Sequence, residues 1–120
     1  MHDPAALQEA DIARLVDAFY DKVRSHPRLG PVFNAAVHDW DEHRQTLTAF
    51  WSAVALGTGG YRGNPMAAHR AQPIDAAHFE EWLALWNETT AEVLAPDHAA
   101  RMQAFADRIG QNLRRGLGLG

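Results

Sequence analysis

The sequence contains no cysteine among its 120 residues. This absence excludes disulfide bonds, thiolate metal sites and thiol catalysis, and it is compatible with a reducing cytoplasm. The start, MHDPAALQEADIARL, lacks the basic region followed by an apolar one that marks a secretory leader. No segment reaches the roughly 18 consecutive apolar residues of a membrane-spanning helix. We therefore expect a cytoplasmic protein that does not insert into a membrane.

Positive charge is also scarce and scattered. The formal net charge is -4, and Arg114-Arg115 is the one adjacent pair of arginines. Without a basic patch the chain has no strong attraction to phosphate backbones, so nucleic acid binding is not expected. The length suits a single hydrophobic core. We expect one domain over residues 1–120, and a monomer.

Strand-like alternation and internal repeats are missing too. Apolar residues instead recur at steps of three and four along four segments, which is the spacing of one helix face. These segments are 11–25, 39–56, 75–94 and a last one that begins after Pro96-Asp97. The fold class is therefore predicted to be all-α.

Polar and breaker residues mark the ends of the predicted helices. Asp39, with Glu42 three residues later, is typical of a capping box, and Asp75 is a second N-cap. The glycines that follow residue 56 end the second helix. His26-Pro27 and Gly30-Pro31 end the first one, and no further helix is predicted before Asp39.

The segment 57–72 is rich in helix breakers and poor in apolar residues. Connections of this length inside a compact domain are usually functional. Asn64-Pro65 predicts the start of a short helix that carries His69, and a nearby proline prevents its extension. Such a helix can hold His69 beside a cavity without filling it. The large rings of Trp82 and Trp86, on the third predicted helix, would line that cavity.

Several strings of the sequence together resemble a group III truncated haemoglobin: FYDKVRSHPRLGPVFN, DWDEHRQTLTAFWS, GTGGYRGNPMAAH and FEEWLALWNET. The similarity runs from about Leu7 to Arg115. Members of this family are short bacterial globins in which a two-over-two helical sandwich surrounds haem. The double-glycine signals that other truncated haemoglobins carry early in the chain are missing, which agrees with group III. The resemblance implies the same fold here and a haem b cofactor.

The resemblance also implies roles for individual residues. His69 matches the proximal ligand of the iron, and Tyr20, His43 and Trp82 match the distal residues that face the bound ligand. Further side chains are expected to line the macrocycle or to hold its propionates. Together with His69 they form the predicted cofactor-binding set: Phe33, Leu47, Phe50, Tyr61, Met66, His69, Arg70 and Trp86.

Some assignments within this set stay open. Tyr61, Arg70 and Arg44 are all candidate partners for the haem propionates. The family often has phenylalanine at the position of Trp86, and this departure keeps Trp86 as an alternative to Trp82 for the indole that faces the ligand. The aromatic and apolar residues of this set would be equally buried in an ordinary hydrophobic core, so their burial does not distinguish the two interpretations.

The residue types suit this chemistry. Haem iron needs a nitrogen base, and a neutral imidazole whose second nitrogen bonds a backbone carbonyl is the usual one. The distal hydroxyl, imidazole and indole can donate hydrogen bonds to bound O2, NO or CO. Two such bonds, at about 1.5–3 kcal/mol each, would slow O2 release about a hundredfold or more. We therefore expect O2 retention, or detoxification of NO or peroxide with a reductase as electron donor, instead of transport.

Two other interpretations fit the sequence. In the first, the protein is a cofactor-free helical interaction module whose tryptophans form an ordinary core and whose long loop binds a partner. In the second, His43 coordinates the haem iron itself when no external ligand is bound. A zinc site is not expected, because no HxxxH pair occurs among the remaining histidines, which are His2, His26, His38, His78 and His98.

Overall fold

A computed structural model of the protein describes residues 6–61, 63–70 and 72–119. His2, one of the histidines considered for a zinc site, lies outside these ranges. Within them the chain forms six helices and no strand, which confirms the predicted all-α class. The helices are α1 (Glu9–Ser25), α2 (Leu29–Ala36), α3 (Trp40–Leu56), α4 (Pro65–Arg70), α5 (Ala76–Val93) and α6 (Pro96–Gly116).

Local side-chain chemistry sets the ends of α3 and α5. Asp39 Oδ1 accepts a hydrogen bond of 3.1 Å from the backbone amide of Glu42, which is one half of the predicted capping box. Asp75 Oδ1 accepts a bond of 3.2 Å from the amide of His78. Gly57 ends α3 with a φ of 73°, a conformation that favours glycine. The positions of both caps agree with the sequence prediction.

Helix α2 was not predicted, because Gly30-Pro31 resembles a helix breaker. In the structure this pair lies in the first turn of α2, where amides have no partner within the helix and the missing amide of proline costs nothing. The ring of His26 caps the same end, since its Nδ1 accepts from the amides of Arg28 and Leu29 at 3.1 Å each. The expectation that no helix forms between the first helix and Asp39 is therefore wrong.

The long helices form two layers. Helix α1 packs against α3 and α5, and α5 packs against α6. At the centre, the ring of Trp86 is fully buried, and its centroid lies 4.5 Å from that of Trp51 and 5.0 Å from that of Phe19. Removing such large rings from water is the main force that holds the layers together. The arrangement is the predicted two-over-two sandwich.

Helix α4 is short and packs less closely. Its start is capped as predicted, because the amide of Ala67 donates to Asn64 Oδ1 at 3.1 Å. It packs against α6, and none of its residues is buried. This position leaves space between α4 and the sandwich. None of the helices in the described ranges is long and apolar enough to cross a bilayer.

Candidate functional site

A largely apolar cavity of about 320 Å³ is lined by side chains from all of the helices α1 to α6. Its volume lies within the range of small-molecule sites, roughly 300–1,000 Å³. Eight of the predicted site residues line it: Tyr20, Phe33, His43, Leu47, Phe50, Tyr61, His69 and Trp82. Residues that are far apart in the sequence therefore meet around one space.

His69 lies on α4, and the backbone defines its tautomer. Nδ1 is 2.6 Å from the carbonyl oxygen of Pro65. Because a carbonyl oxygen can only accept, Nδ1 carries the proton and Nε2 keeps a free lone pair. The ring also stacks on Phe79, with centroids 6.1 Å apart and planes inclined by 25°. A histidine held in this way can bind a metal ion through Nε2.

His43 lies on α3 among aromatic rings. Its ring centroid is 5.1 Å from that of Tyr20, 5.6 Å from that of Trp40 and 6.4 Å from that of Phe33. Burial lowers the pKa of this imidazole below its ordinary value, so the neutral form is favoured. Nε2 is buried and has no hydrogen-bond partner in the described part of the chain. An unpaired buried nitrogen is costly unless a bound molecule pairs with it.

The hydroxyl of Tyr20 is kept as a donor. The residue is 2% exposed, and burial raises the pKa of its phenol well above the usual range. The hydroxyl therefore stays protonated at physiological pH. Among the residues that the structure describes, none forms a hydrogen bond with it. Like the nitrogen of His43, it is available to a small molecule in the cavity.

Trp86 does not line the cavity, although helical spacing puts it on the same face of α5 as Trp82. Its ring is fully buried and stacks on that of Trp82, with centroids 5.1 Å apart. Its indole N–H donates to the backbone carbonyl of Met102 at 3.1 Å and is not free for a ligand. Of the two indoles, Trp82 is the one on the cavity wall.

Met66 and Arg70, which were predicted to bind the cofactor, also lie away from the cavity wall, as does Arg44, a candidate partner for a propionate. Met66 is half-buried, and its side chain packs against the C-terminal end of α6. Arg70 is exposed at the end of α4. Arg44 is engaged elsewhere, since its guanidinium lies 2.6 Å from the carboxylate of Asp21 and 3.5 Å from that of Asp17.

The cavity wall also includes side chains that were not predicted as site residues. Trp51 stacks on Trp86, and its indole nitrogen is buried without a partner among the described residues. It follows Leu47 by four residues on the predicted apolar face of α3, and that spacing was a usable signal. Periodicity alone does not tell a cavity wall from a helix contact. The other wall residues of this kind are Thr46, Pro65, Ala68, Ile74, His78, Phe79, Leu83, Ala106, Ile109, Gly110 and Leu113.

The donor set distinguishes between kinds of metal site. Within the described ranges there is no group of three or more His, Cys, Asp or Glu side chains that could hold a metal ion. A free transition-metal ion needs several such ligands. Iron that is already held by a macrocycle needs only an axial base. One oriented imidazole, His69, in an apolar cavity therefore fits haem.

Comparison with known proteins agrees with this chemistry. Residues 3–110 match the family model described as bacterial-like globin. The group 3 truncated hemoglobin ctb of Campylobacter jejuni is 38% identical over 88 residues, which are 69% of each chain. The chain belongs to the group III truncated haemoglobins. As a member of this family it binds haem, and small diatomic ligands bind at the haem.

Other comparisons place this truncated haemoglobin in the same structural class. The group 2 truncated hemoglobin YjbI of Bacillus subtilis is 32% identical over 91 residues, which cover 73% of this chain and 68% of that protein. The crystal structure of the group III truncated hemoglobin from Campylobacter jejuni superposes with a TM-score of 0.89 and 31% identity. That match covers 98% of this chain and 95% of the other. The similarity therefore extends over nearly the whole fold.

Proposed function

We propose that this truncated haemoglobin holds haem b through Nε2 of His69, the axial base of the iron. One observation carries the proposal, the 2.6 Å contact between Nδ1 of His69 and the carbonyl of Pro65. This hydrogen bond orients the ring and leaves the lone pair on Nε2, as such partners do for other metal-binding histidines. Haem bound in this way would supply an iron atom that binds O2, NO or CO.

Tyr20, His43 and Trp82 would surround the bound ligand. The rings of Tyr20 and His43 lie edge to face with centroids 5.1 Å apart, so both can reach one small molecule. Each hydrogen bond to a partly charged ligand is worth about 1.5–3 kcal/mol. Two of them together would slow ligand release by about a hundredfold or more.

Slow release suits O2 retention, or redox chemistry of a bound ligand, more than transport. Detoxification of NO or of peroxide needs a reactant that stays in the site until electrons arrive. We propose a reductase as the source of those electrons. The protein would act as a monomer in the cytoplasm.

The remaining residues of the predicted set would hold the cofactor. Those that would pack on the macrocycle have apolar side chains on the cavity wall: Phe33, Leu47 and Phe50. Tyr61, which contacts Phe50 with centroids 5.0 Å apart, would bind a propionate, and Arg70 would approach one from the end of α4. Met66 and Trp86 would support the wall from behind.

Absorption spectra of the ferric, ferrous and CO-bound protein test the proposal. We expect a Soret band in the purified or haem-supplemented protein. We also expect His69→Ala to lose the spectrum of a histidine-bound haem and to regain it when imidazole is added. A protein without a Soret band after haem addition would instead be a cofactor-free interaction module.

The same spectra separate the two histidines. A low-spin ferric spectrum that persists in His69→Ala and collapses in His43→Ala would assign the axial ligand to His43. The proposal predicts the reverse, because the tautomer of His69 is defined by Pro65 while Nε2 of His43 has no partner in the described chain.

A further inference from the structure

His78 lies in the first turn of α5, and its side chain lines the cavity. The side chain is only 16% exposed. The next residue, Phe79, stacks on the ring of His69. His78 therefore adjoins a residue that contacts the proposed axial ligand, and on α5 it lies one helical turn before Trp82.

The hydrogen bonds of His78 define which of its nitrogens can donate. The backbone amide of Asp75 donates to Nδ1 at 3.0 Å, so in the neutral ring Nδ1 accepts and Nε2 carries the proton. Asp75 Oδ1 is also 3.0 Å from Nδ1, and this carboxylate would pair with Nδ1 if the ring were protonated. Nε2 carries a hydrogen in both states.

Nε2 of His78 has no hydrogen-bond partner in the described part of the chain. A donor on a mostly apolar wall is stabilised when an acceptor on the bound molecule pairs with it. Haem is apolar except for its iron and its two carboxylates. No described lysine or arginine lines the cavity, and Arg44 is held by Asp21 and Asp17.

We infer that His78 binds a carboxylate of the cofactor through its Nε2–H. The inference rests on the proposed function, because it requires haem in this cavity. His78 would have two tasks. Its Nδ1 completes the cap of α5, and its Nε2 fixes the orientation of the cofactor edge beside His69. The ligand class is an organic carboxylate carried by a flat apolar molecule.

The variant His78→Gln separates these two tasks. Glutamine is a standard residue at this position of a capping box, since its side-chain oxygen accepts from the N-cap amide. The variant keeps the acceptor for the Asp75 amide and loses the Nε2–H. The exposed His38, which lies outside the cavity wall, provides the matched control His38→Gln.

The experiment measures the rate of haem loss to a haem-scavenging globin. Wild type and both variants are loaded either with haem or with haem dimethyl ester, which has no free carboxylate. With haem, His78→Gln should lose the cofactor about tenfold faster than wild type and His38→Gln. With the ester, the three proteins should lose it at the same rate. The propionate bending band in resonance Raman spectra should shift only in His78→Gln.

Other results would overturn the inference. Equal acceleration with haem and with the ester would mean that His78 acts through packing or through the cap of α5. An unchanged rate with haem would mean that the Nε2–H binds nothing. If wild type forms no Soret band with either cofactor, both the proposed function and the inference fail. Thermal unfolding of the cofactor-free proteins checks that His78→Gln has kept the cap.

Discussion

Replacing Tyr20 by phenylalanine tests the distal side of the proposed site. The change removes one oxygen atom and leaves the ring, which is 2% exposed and packs edge to face on Phe19 at 5.0 Å. Packing of α1 should therefore be kept. The phenol is protonated because burial raises its pKa, so the lost group is a hydrogen-bond donor at any working pH.

The size of the effect follows from the bond that is removed. A hydrogen bond to a partly charged ligand contributes about 1.5–3 kcal/mol, which corresponds to a change of about 10- to 150-fold in affinity. The bond forms after the ligand has entered, so most of the change should occur in the dissociation rate. His43 remains beside the ligand and keeps its own bond, and the lower part of this range is expected.

Stopped-flow displacement of O2 by CO measures the dissociation rate. We expect Tyr20→Phe to release O2 at least about tenfold faster than wild type. CO provides an internal control, because bound CO is less polar than bound O2 and its release should change less. Thermal unfolding of the cofactor-free proteins checks that the fold is intact. An O2 dissociation rate equal to that of wild type would remove Tyr20 from the proposed mechanism.

The remaining predictions concern stability. Hydrogen bonding by the backbone amide of His78 lowers the pKa of Asp75 in the folded protein below its ordinary value of 3.8. The stabilisation from this carboxylate is therefore present above pH 3.8. It is lost as the pH falls through the lower pKa of the folded state. Asp75→Asn keeps a capping oxygen but cannot titrate. Its free energy of unfolding in urea should therefore differ from that of wild type at neutral pH and approach it in acid. A difference that stays constant with pH would contradict this prediction. Trp86→Phe should lower the free energy of unfolding by about 1–3 kcal/mol, because the bond to the carbonyl of Met102 is lost and a small cavity is left. Gly30→Ala should lower it by about 1 kcal/mol or more, since the added Cβ would lie 2.9 Å from the carbonyl oxygen of Arg24. An alanine variant as stable as wild type would show that α1 and α2 can separate at that point without cost.

The sequence predicted those features that depend on near neighbours along the chain. The long helices follow from apolar spacing, and the caps at Asp39, Asn64 and Asp75 follow from side chains that bond amides a few residues away. Helix α2 was missed for a related reason. A glycine-proline pair breaks a helix interior, yet it is harmless in a first turn, and only the contact with His26 shows that a first turn is present.

The site required more than local rules. Trp82 and Trp86 are equivalent in helical spacing, and only the resemblance to the family favoured Trp82 as the distal indole. Packing decides, because α6 supplies the Met102 carbonyl that engages the indole of Trp86 and leaves Trp82 on the cavity wall. Hydrogen bonds within one turn, such as that of His69 with Pro65, can be anticipated from spacing.

By itself, then, the sequence determined the long helices and the position of His69 on a short one, because those properties arise from interactions between residues close in the chain. Only the tertiary structure decided which polar atoms are left unpaired around the cavity. Nε2 of His43 and the hydroxyl of Tyr20 come from different helices, and their lack of a partner in the described chain depends on everything packed around them. Burial and pairing are properties of the assembled fold, and no spacing rule contains them.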